Sequence, residues 1–161
     1  QSDQVFTWPA GWTVLVEPYW IGTQQCTIAY GPWSESITLK TAKAVEAGYV
    51  AVSVRGAGTP TAGSTKDRTK EPQETVTVTA PKASGTGLVF AYAFERSLGE
   101  ETRSQITLSE GWELVDFAAQ TGSNLQTVAL AQGKGGTDAT FTYPNAQASN
   151  GLGVQVVIPN A

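Results

Sequence analysis

The sequence contains no histidine and no methionine, and Cys26 is its only cysteine. Without histidine, the chain lacks the imidazole base of Ser-His-Asp and Cys-His catalysis and every zinc site that includes histidine. A single cysteine excludes an intrachain disulfide and a thiolate metal cluster. We therefore predict no catalytic residue, no metal and no cofactor, and we interpret Cys26 as a small core side chain.

Charge is also scarce, since charged residues make up 15% of the chain, compared with about a quarter in a typical globular protein. The formal net charge is -4 at pH 7, and no basic cluster is present. A chain of this kind is a poor ligand for phosphate backbones, so we expect no nucleic-acid partner. The low charge density suggests instead that part of the surface contacts other protein.

Targeting and membrane segments are missing from the sequence as well. No apolar run approaches the ~20 residues that a membrane span requires, and no signal peptide is visible at Gln1. Because the chain has no initiator methionine, we expect that it was either processed before Gln1 or taken from a longer protein.

The dominant pattern is an alternation of apolar and polar side chains with a period of two, which is typical of half-buried β-strands. Turns rich in Gly, Pro, Asn and Ser separate the alternating segments. This spacing predicts an all-β chain that forms an antiparallel β-sandwich of jelly-roll type, with a partial internal repeat. Strands are predicted at 12–17, 25–30, 35–39, 48–55, 74–80, 87–94, 105–108, 112–117, 125–131, 139–143 and 153–158.

Residues 56–72 differ from the rest, because they are rich in Gly, Pro, Thr and charge and have no apolar face. This composition is typical of a linker or a long exposed loop. We therefore divide the chain into a partial β-sandwich repeat at 1–58, a linker or long loop at 59–73 and a β-sandwich repeat at 74–161.

The evidence for a repeat is that Gly11-Trp12 recurs as Gly111-Trp112, at an offset of 112 − 12 = 100. The match predicts that Trp12 and Trp112 are structural anchors that begin equivalent strands. Further pairs at the same offset are Thr7 with Thr107, Gly22 with Gly122, Thr27 with Thr127 and Ala29 with Ala129. With a small insertion, 36–39 corresponds to 139–142, and 50–54 to 154–158.

The first copy is incomplete, because only the ten residues 1–10 precede Gly11, whereas the predicted strands 74–80 and 87–94 precede Gly111. A sandwich that lacks strands exposes sheet edges, which invite pairing with another chain. Three alternatives remain at this point. The chain is a fragment of a longer tandem protein, or strands of a neighbouring subunit or of the segment after Gly56 complete the sheet, or both parts form one continuous sandwich.

Short motifs in both copies resemble those of a known group of proteins. The first copy contains Trp8-Pro-Ala-Gly-Trp-Thr-Val-Leu15 and closes with Tyr49-Val-Ala-Val-Ser-Val-Arg-Gly56, and the second contains Ser109-Glu-Gly-Trp-Glu-Leu-Val115. These motifs, in this order, resemble the β-sandwich modules of tailed-bacteriophage tail, fibre and capsid-surface proteins. The resemblance implies a non-enzymatic, oligomeric protein on the surface of a virion that contacts other virion proteins.

Three aromatic residues in predicted loops occur in the first copy only: Tyr19, Trp20 and Trp33 have Ala119, Gln120 and Gly133 as counterparts at the offset of 100. We place them in loops and interpret them as binding residues for a protein interface or a cell-surface glycan, with a local core as the third interpretation. A receptor- or carbohydrate-binding adhesion module is therefore the alternative function. Hydrolysis by a carboxylate pair ranks third, with candidates Glu17, Glu35, Glu113 and Asp116.

Overall fold

The computed structural model describes residues 6–21, 24–41, 47–68, 75–96, 100–120, 126–144 and 150–161. Nearly all of the regular structure is β, with one short 3₁₀ helix at Glu100–Gln105, and all the strand pairs are antiparallel. The prediction of an all-β antiparallel sandwich is thus confirmed. The strands are β1 (Phe6–Thr7), β2 (Thr13–Ile21), β3 (Gln24–Tyr30), β4 (Lys40–Thr41), β5 (Thr61–Arg68), β6 (Thr75–Ala80), β7 (Leu88–Arg96), β8 (Thr107–Leu108), β9 (Trp112–Gln120), β10 (Gln126–Gly133), β11 (Ala139–Pro144) and β12 (Gly151–Ile158).

The centre of the molecule is a five-stranded sheet with the order β5-β12-β7-β10-β9. Every residue of β12 is buried, so both faces of this sheet are covered by other elements. On β7 the alternation separates small from large side chains. Ala91 and Ala93 belong to the core on one face, and Phe90 belongs to the core on the other.

One face of the central sheet packs against a three-stranded sheet with the order β6-β11-β8. The core between them contains small side chains from the central sheet and large ones from its partner, including Phe141 and Tyr143, which are both fully buried. This core comprises Val76, Val78, Ala80, Val89, Ala91, Ala93, Trp112, Phe117, Ala129, Ala131, Ala139, Phe141, Tyr143 and Val157.

The opposite face of the central sheet is covered by the first repeat, through the hairpin β2-β3 and the extended segment 47–55. Val16 and Ile28 of the hairpin are buried there against Phe90, Leu130 and the apolar residues of β12. Val50, Val52 and Val54 pack on the same cluster. The molecule therefore has three layers, with the central sheet in the middle.

Three predictions from the sequence are wrong, two about strands and one about the linker. Residues 35–39 and 48–55 have the alternating pattern but form no assigned strand, whereas the predicted linker contains strand β5, which pairs with β12. β5 lacks an apolar face because it lies at the edge of the central sheet, where most of its side chains are exposed. From the sequence we interpret Thr41–Ala47 as a loop or a single helical turn, and residues 42–46 of this segment lie outside the described residues.

Candidate assembly surface

The strands β2 and β9 begin with the same tight turn. In the first repeat the amide of Trp12 donates to the Pro9 carbonyl at 3.1 Å, and in the second the amide of Trp112 donates to the Ser109 carbonyl at 3.3 Å. The third residue of each turn has a positive φ, 84° at Gly11 and 81° at Gly111. Such a turn favours glycine at this position, which explains why Gly-Trp is the pair that recurs.

The two indoles also have the same neighbour. Trp112 pairs with Gly133 in the β9-β10 ladder, and a Cβ atom on Gly133 would lie 2.5 Å from the indole ring. Gly31 stands in the same relation to Trp12, again with a distance of 2.5 Å from its Cβ position to the ring. Each ring therefore lies over a glycine of the neighbouring strand, so Trp12 and Trp112 occupy equivalent positions in the two repeats.

Both hairpins have a β-bulge at the same place. The β2-β3 register skips Leu15, and the β9-β10 register skips Val115. The flanking pairs are Val14 with Ala29 and Val16 with Ile28 in the first repeat, and Leu114 with Ala131 and Asp116 with Leu130 in the second. A bulge is a specific local irregularity, so its recurrence supports a common plan for the two hairpins.

These registers correct the alignment that a constant offset predicts. The offset is 100 along β2 and β9 but 131 − 29 = 102 at Ala29 and 127 − 26 = 101 at Cys26, so Ala29 corresponds to Ala131 and not to Ala129. One residue of the difference comes from the closing turn, since Trp20 with Gln25 encloses four residues and Gln120 with Gln126 encloses five. The other comes from a second register shift of the first hairpin, between Val16 and Tyr19. The counterpart of Gly133 is Gly31, not Trp33, and Gly22 and Gly122 lie outside the described residues.

The short strand pairs agree with the same correspondence. Thr7 pairs with Lys40 in β1-β4, and Thr107 pairs with Thr142 in β8-β11. The offsets are again 100 for the first strand and 142 − 40 = 102 for the second. Residues 37–39 therefore correspond to 139–141, one residue away from the alignment predicted from the sequence.

The two repeats pack against each other through equivalent faces. The amide of Gly58 donates to the Pro159 carbonyl at 2.7 Å, and the amide of Ala161 donates to the Gly56 carbonyl at 2.9 Å. These two hydrogen bonds form the antiparallel bridge between Ala57 and Asn160. In the cluster between the repeats, Val50, Val52 and Val54 pack with their own counterparts, Val154, Val156 and Ile158.

Among its described residues, 6–21, 24–41 and 47–58, the first repeat has no counterpart of β6 and β7. In the second repeat, β7 lies between β10 and β12 and pairs with both. The counterpart of β10 is β3, which pairs only with β2 among the described residues, and the counterpart of β12 is the unpaired segment 48–55. We call the site that corresponds to β7, between β3 and 48–55, the open strand position.

Without these strands, one face of the first repeat is uncovered. Ala139 and Phe141 are fully buried in the second repeat, whereas their counterparts Ile37 and Leu39 are 44% exposed and half-buried. Trp12 is half-buried and stacks on Trp8, with ring centroids 5.5 Å apart. We define the open face as the counterparts of core residues of the second repeat, namely Phe6, Trp8, Trp12, Val14, Ala29, Ile37 and Leu39.

The structure separates the three aromatic residues proposed as a binding site. Tyr19 and Trp20 lie within β2 and not in loops, and Trp20 pairs with Gln25. Trp33 follows β3 at the other end of the hairpin, roughly 15 Å or more away at ~3.3 Å per residue, and is 74% exposed. The three side chains therefore do not form one surface.

Tyr19 has contacts that favour the local-core interpretation for this residue. Its side chain packs against the buried cluster of Cys26 and Leu152, and its hydroxyl donates a hydrogen bond to the Asp67 carboxylate of β5. This hydrogen bond, followed by burial and by the charge of Asp67, raises the pKa of Tyr19. Tyr19 thus links β2 to the edge strand of the central sheet.

Tyr49 is 79% exposed, although it is not among the binding residues predicted from the sequence. The alternation of apolar and other side chains along 48–55 could have identified Tyr49 as an outward residue. Because Val50, Val52 and Val54 face the central sheet, the residues between and beside them face outward. Tyr49 is therefore an outward aromatic ring beside the open strand position.

Cys26 and the four candidate carboxylates differ in burial. Cys26 is buried, as its interpretation as a core residue predicts, and burial raises the pKa of its thiol to about 12. Glu17, Glu35 and Glu113 are exposed, and Asp116 is half-buried, with its carboxylate accepting from the amide of Phe117. Within the described ranges, no three His, Cys, Asp or Glu side chains are grouped as a metal site.

Comparisons with protein-family models, with curated proteins and with solved structures find no match to this chain. In the parts of the chain that the structure describes, no helix is long and apolar enough to cross a membrane. Function is therefore inferred from the geometry of the two repeats and from the sequence motifs.

Proposed function

We propose that this chain is a non-enzymatic structural protein of a phage-like virion surface that acts through protein–protein assembly. The observation that carries the proposal is the open face of the first repeat. Four of its residues, Trp12, Ala29, Ile37 and Leu39, are exposed or half-buried. Their counterparts Trp112, Ala131, Ala139 and Phe141 are buried in the core of the second repeat. A face with the composition and plan of a sandwich core suits another protein layer.

Two exposed aromatic side chains of the first repeat, which lie outside the open face, would add to the free energy of association if the partner also covers them. A fully buried aromatic side chain removes about 150–250 Å² from water, which contributes roughly 4–6 kcal/mol at ~25 cal/mol per Å². Trp33 and Tyr49 are 74% and 79% exposed, so most of this contribution is still available at each. Part of it would be lost to the entropy of association.

The placement on a virion is supported by the motifs. The Pro-Ala-Gly-Trp-Thr segment at 9–13 resembles the turn and strand of tailed-phage sandwich modules, and Arg55-Gly56 resembles their closing segment. A capsid decoration, a fibre part and a tail part are all consistent with a module whose two repeats pack back to back and leave one face open.

Immunogold electron microscopy tests this placement. A gold-labelled antibody against the chain is applied to phage-like particles released by the strain that encodes it. We expect labelling at one defined location on the particle, and loss of that labelling when the gene for the chain is deleted. Particles that carry no label and that contain no peptide of this chain by mass spectrometry would contradict the proposal.

The alternative of a carbohydrate-binding adhesion module is favoured by one observation, the exposed indole of Trp33. A flat apolar ring that is 74% exposed can stack on the apolar face of a sugar. If this is the function, a glycan array shows binding that Trp33→Ala removes and Trp20→Ala, at the other end of the hairpin, retains. An array without signal removes the alternative.

A further inference from the structure

We propose that two copies of this chain exchange the part that precedes the turn of Arg55 and Gly56, so that each central sheet is covered by the other copy. We call this part, described at 6–21, 24–41 and 47–55, the cover. The inference rests on the proposed assembly function, and it names a second copy as a partner. Three features of the structure carry it.

The first feature is an apolar face of the central sheet to which the cover is complementary. Phe90 and Leu130 of the central sheet are buried in one cluster with Val16 and Ile28 of the cover. Segment 47–55 of the cover adds three valines to the same cluster. An uncovered apolar face of this kind binds other protein. The structure shows that the cover fits it, and a second copy of the chain carries the same cover.

The second feature is that the cover is held on the central sheet by side chains. Within the described residues, the ladders of the cover join β1 to β4 and β2 to β3, and none joins the cover to the central sheet. The hydrogen bond from Tyr19 to Asp67 also connects two side chains. The cover can therefore leave the sheet with its own strand pairs intact.

The third feature is the hinge at Gly56. The chain turns at Arg55 and Gly56, and directly after the turn Ala57 bridges Asn160, so the chain beyond Gly56 already follows the central sheet. Gly56 has a φ of 63°, and a Cβ atom there would meet no other atom within 4 Å. Glycine adopts this conformation and an extended one without steric cost. A change at one residue can thus direct the cover to a neighbouring copy.

The exchanged dimer keeps the packing of the cover on the central sheet. It differs from two closed chains in the turn and in the entropy of association. This entropy matters less when copies are held close together, as they are on the particle surface proposed above. We therefore expect closed monomers in dilute solution and exchange at high local concentration.

The variant Gly56→Val tests the hinge on the full chain. Valine strains the left-handed turn of the closed chain but favours the extended backbone of the exchanged dimer. Because each dimer relieves two turns, we expect the association constant to rise by roughly 30-fold or more. Light scattering after refolding at increasing protein concentration measures it.

The variant Gly136→Val is the matched control for the hinge. Gly136 has a φ of 81°, and its Cβ position is equally free of contacts, but it lies between β10 and β11 within the second repeat. Valine therefore strains this turn in the same way without affecting the hinge. We expect Gly136→Val to lose stability and to associate no more than the unchanged chain.

Two cysteine variants locate the interface with the hinge unchanged. A Cβ atom on Gly48 of the cover would lie 3.8 Å from the Cβ of Ala118 on β9, which suits a disulfide. Chains with Gly48→Cys and chains with Ala118→Cys, both also with Cys26→Ala, are refolded together at high concentration and oxidised. We expect a disulfide-linked dimer on a non-reducing gel, and none from either variant alone. Lys134→Cys, at an exposed position after β10, replaces Ala118→Cys in a control mixture that should give none.

A Gly56→Val chain that stays monomeric at every concentration, like Gly136→Val, would overturn the inference. A dimer whose mixed cysteine variants form no disulfide would overturn it as well, because the copies would then associate through another surface. Neither result would change the labelling of virions. Absence of the chain from virions would contradict the proposed function without affecting the exchange.

Discussion

At the scale of single residues, the two glycines that face the indoles explain how the repeats keep the same start of each hairpin. Gly31 and Gly133 leave room for a ring to lie flat on the neighbouring strand, with the Cβ position only 2.5 Å from ring atoms. The turn glycines Gly11 and Gly111 set the direction from which each indole enters. A turn glycine, an indole and a facing glycine thus form one unit in each repeat.

The first prediction concerns Gly133→Ala and Gly31→Ala. Each added methyl group must displace an indole, so we expect Gly133→Ala to lower the free energy of unfolding by about 1–3 kcal/mol. Gly31→Ala should cost less, because Trp12 is half-buried and can shift toward solvent, whereas Trp112 is 7% exposed within the core. Urea unfolding measures both, with the exposed Gln132→Ala as control. Equal unfolding free energies for Gly133→Ala and the control would contradict the packing described.

The second prediction concerns pH. Burial raises the pKa of Cys26 to about 12 from an ordinary value of 9.0. The unfolded chain therefore loses the thiol proton first, and the free energy of unfolding falls as pH rises from about 9 to about 12. The slope from this group is about 1.4 kcal/mol per pH unit.

Denaturant titrations of Cys26→Ala and of the unchanged chain, at intervals from pH 8 to pH 11, check this effect. We expect a shallower alkaline decline in the variant. Part of the decline should remain, because burial also raises the pKa of Tyr92 to about 12. Identical pH slopes for the two proteins would show that the Cys26 thiol is not buried in the folded chain.

At the scale of elements, strand formation depends on a backbone partner as well as on the side-chain pattern. Residues 48–55 alternate as well as any strand of the sequence, but the strand that would pair with them, a counterpart of β7, is missing from the first repeat. β5 shows the reverse case, since its polar sequence predicts a loop and the backbone of β12 recruits it as an edge strand. Alternation therefore reports which face is buried, and it does not report whether a partner is present.

The third prediction concerns Gln155, which connects three elements from a fully buried position on β12. Its Nε2 donates to the carbonyls of Ala80 at 3.0 Å and Thr137 at 2.8 Å, and its Oε1 accepts from the amide of Ala83 at 3.2 Å. Its counterpart in the first repeat is Ala51, where β6 has no counterpart. The side chain thus joins β12 to the strands that only the second repeat has.

We expect Gln155→Ala to lower the free energy of unfolding by about 2–4 kcal/mol, because buried partners lose their hydrogen bonds. Thermal unfolding followed by circular dichroism measures the effect, with Gln105→Ala at an exposed position as the control. A loss no larger than that of the control would mean that these three hydrogen bonds contribute little to stability.

At the scale of the whole molecule, the sequence predicts the repeat and its incompleteness, but not the packing of one repeat on the other. Gly11-Trp12 and Gly111-Trp112 are sufficient to align the hairpins. The tight turn and the large ring restrict which residue types can stand at a few positions, so those residue types recur in both repeats. The valines of 50–54 predict a buried face without identifying the surface that covers it. The bridge between the ends of the two repeats depends on Gly58 and Ala161, whose backbone hydrogen bonds leave no trace in side-chain patterns.

The candidate site, like the fold, could be predicted from the sequence only in part. Copy-specific aromatic residues pointed to Tyr19, Trp20 and Trp33, yet only Trp33 is strongly exposed, and Tyr19 packs in a core between the layers. The open face is identified by matching each residue of the first repeat with its counterpart in the second. Such a comparison needs the registers of both hairpins, which the constant offset of 100 gives correctly for only one strand of each.

Residue-resolved hydrogen–deuterium exchange on the monomeric chain tests the central claim most directly, namely that β3 has a free edge where its counterpart β10 has a paired one. We predict slow exchange at every amide of Thr127–Gln132, since β10 pairs with both β7 and β9. Along Cys26–Ala29 we predict slow and fast exchange at alternate residues, with only the amides that face β2 protected. Uniformly slow exchange along β3 would contradict the account, because it would show that a second partner already occupies the open strand position.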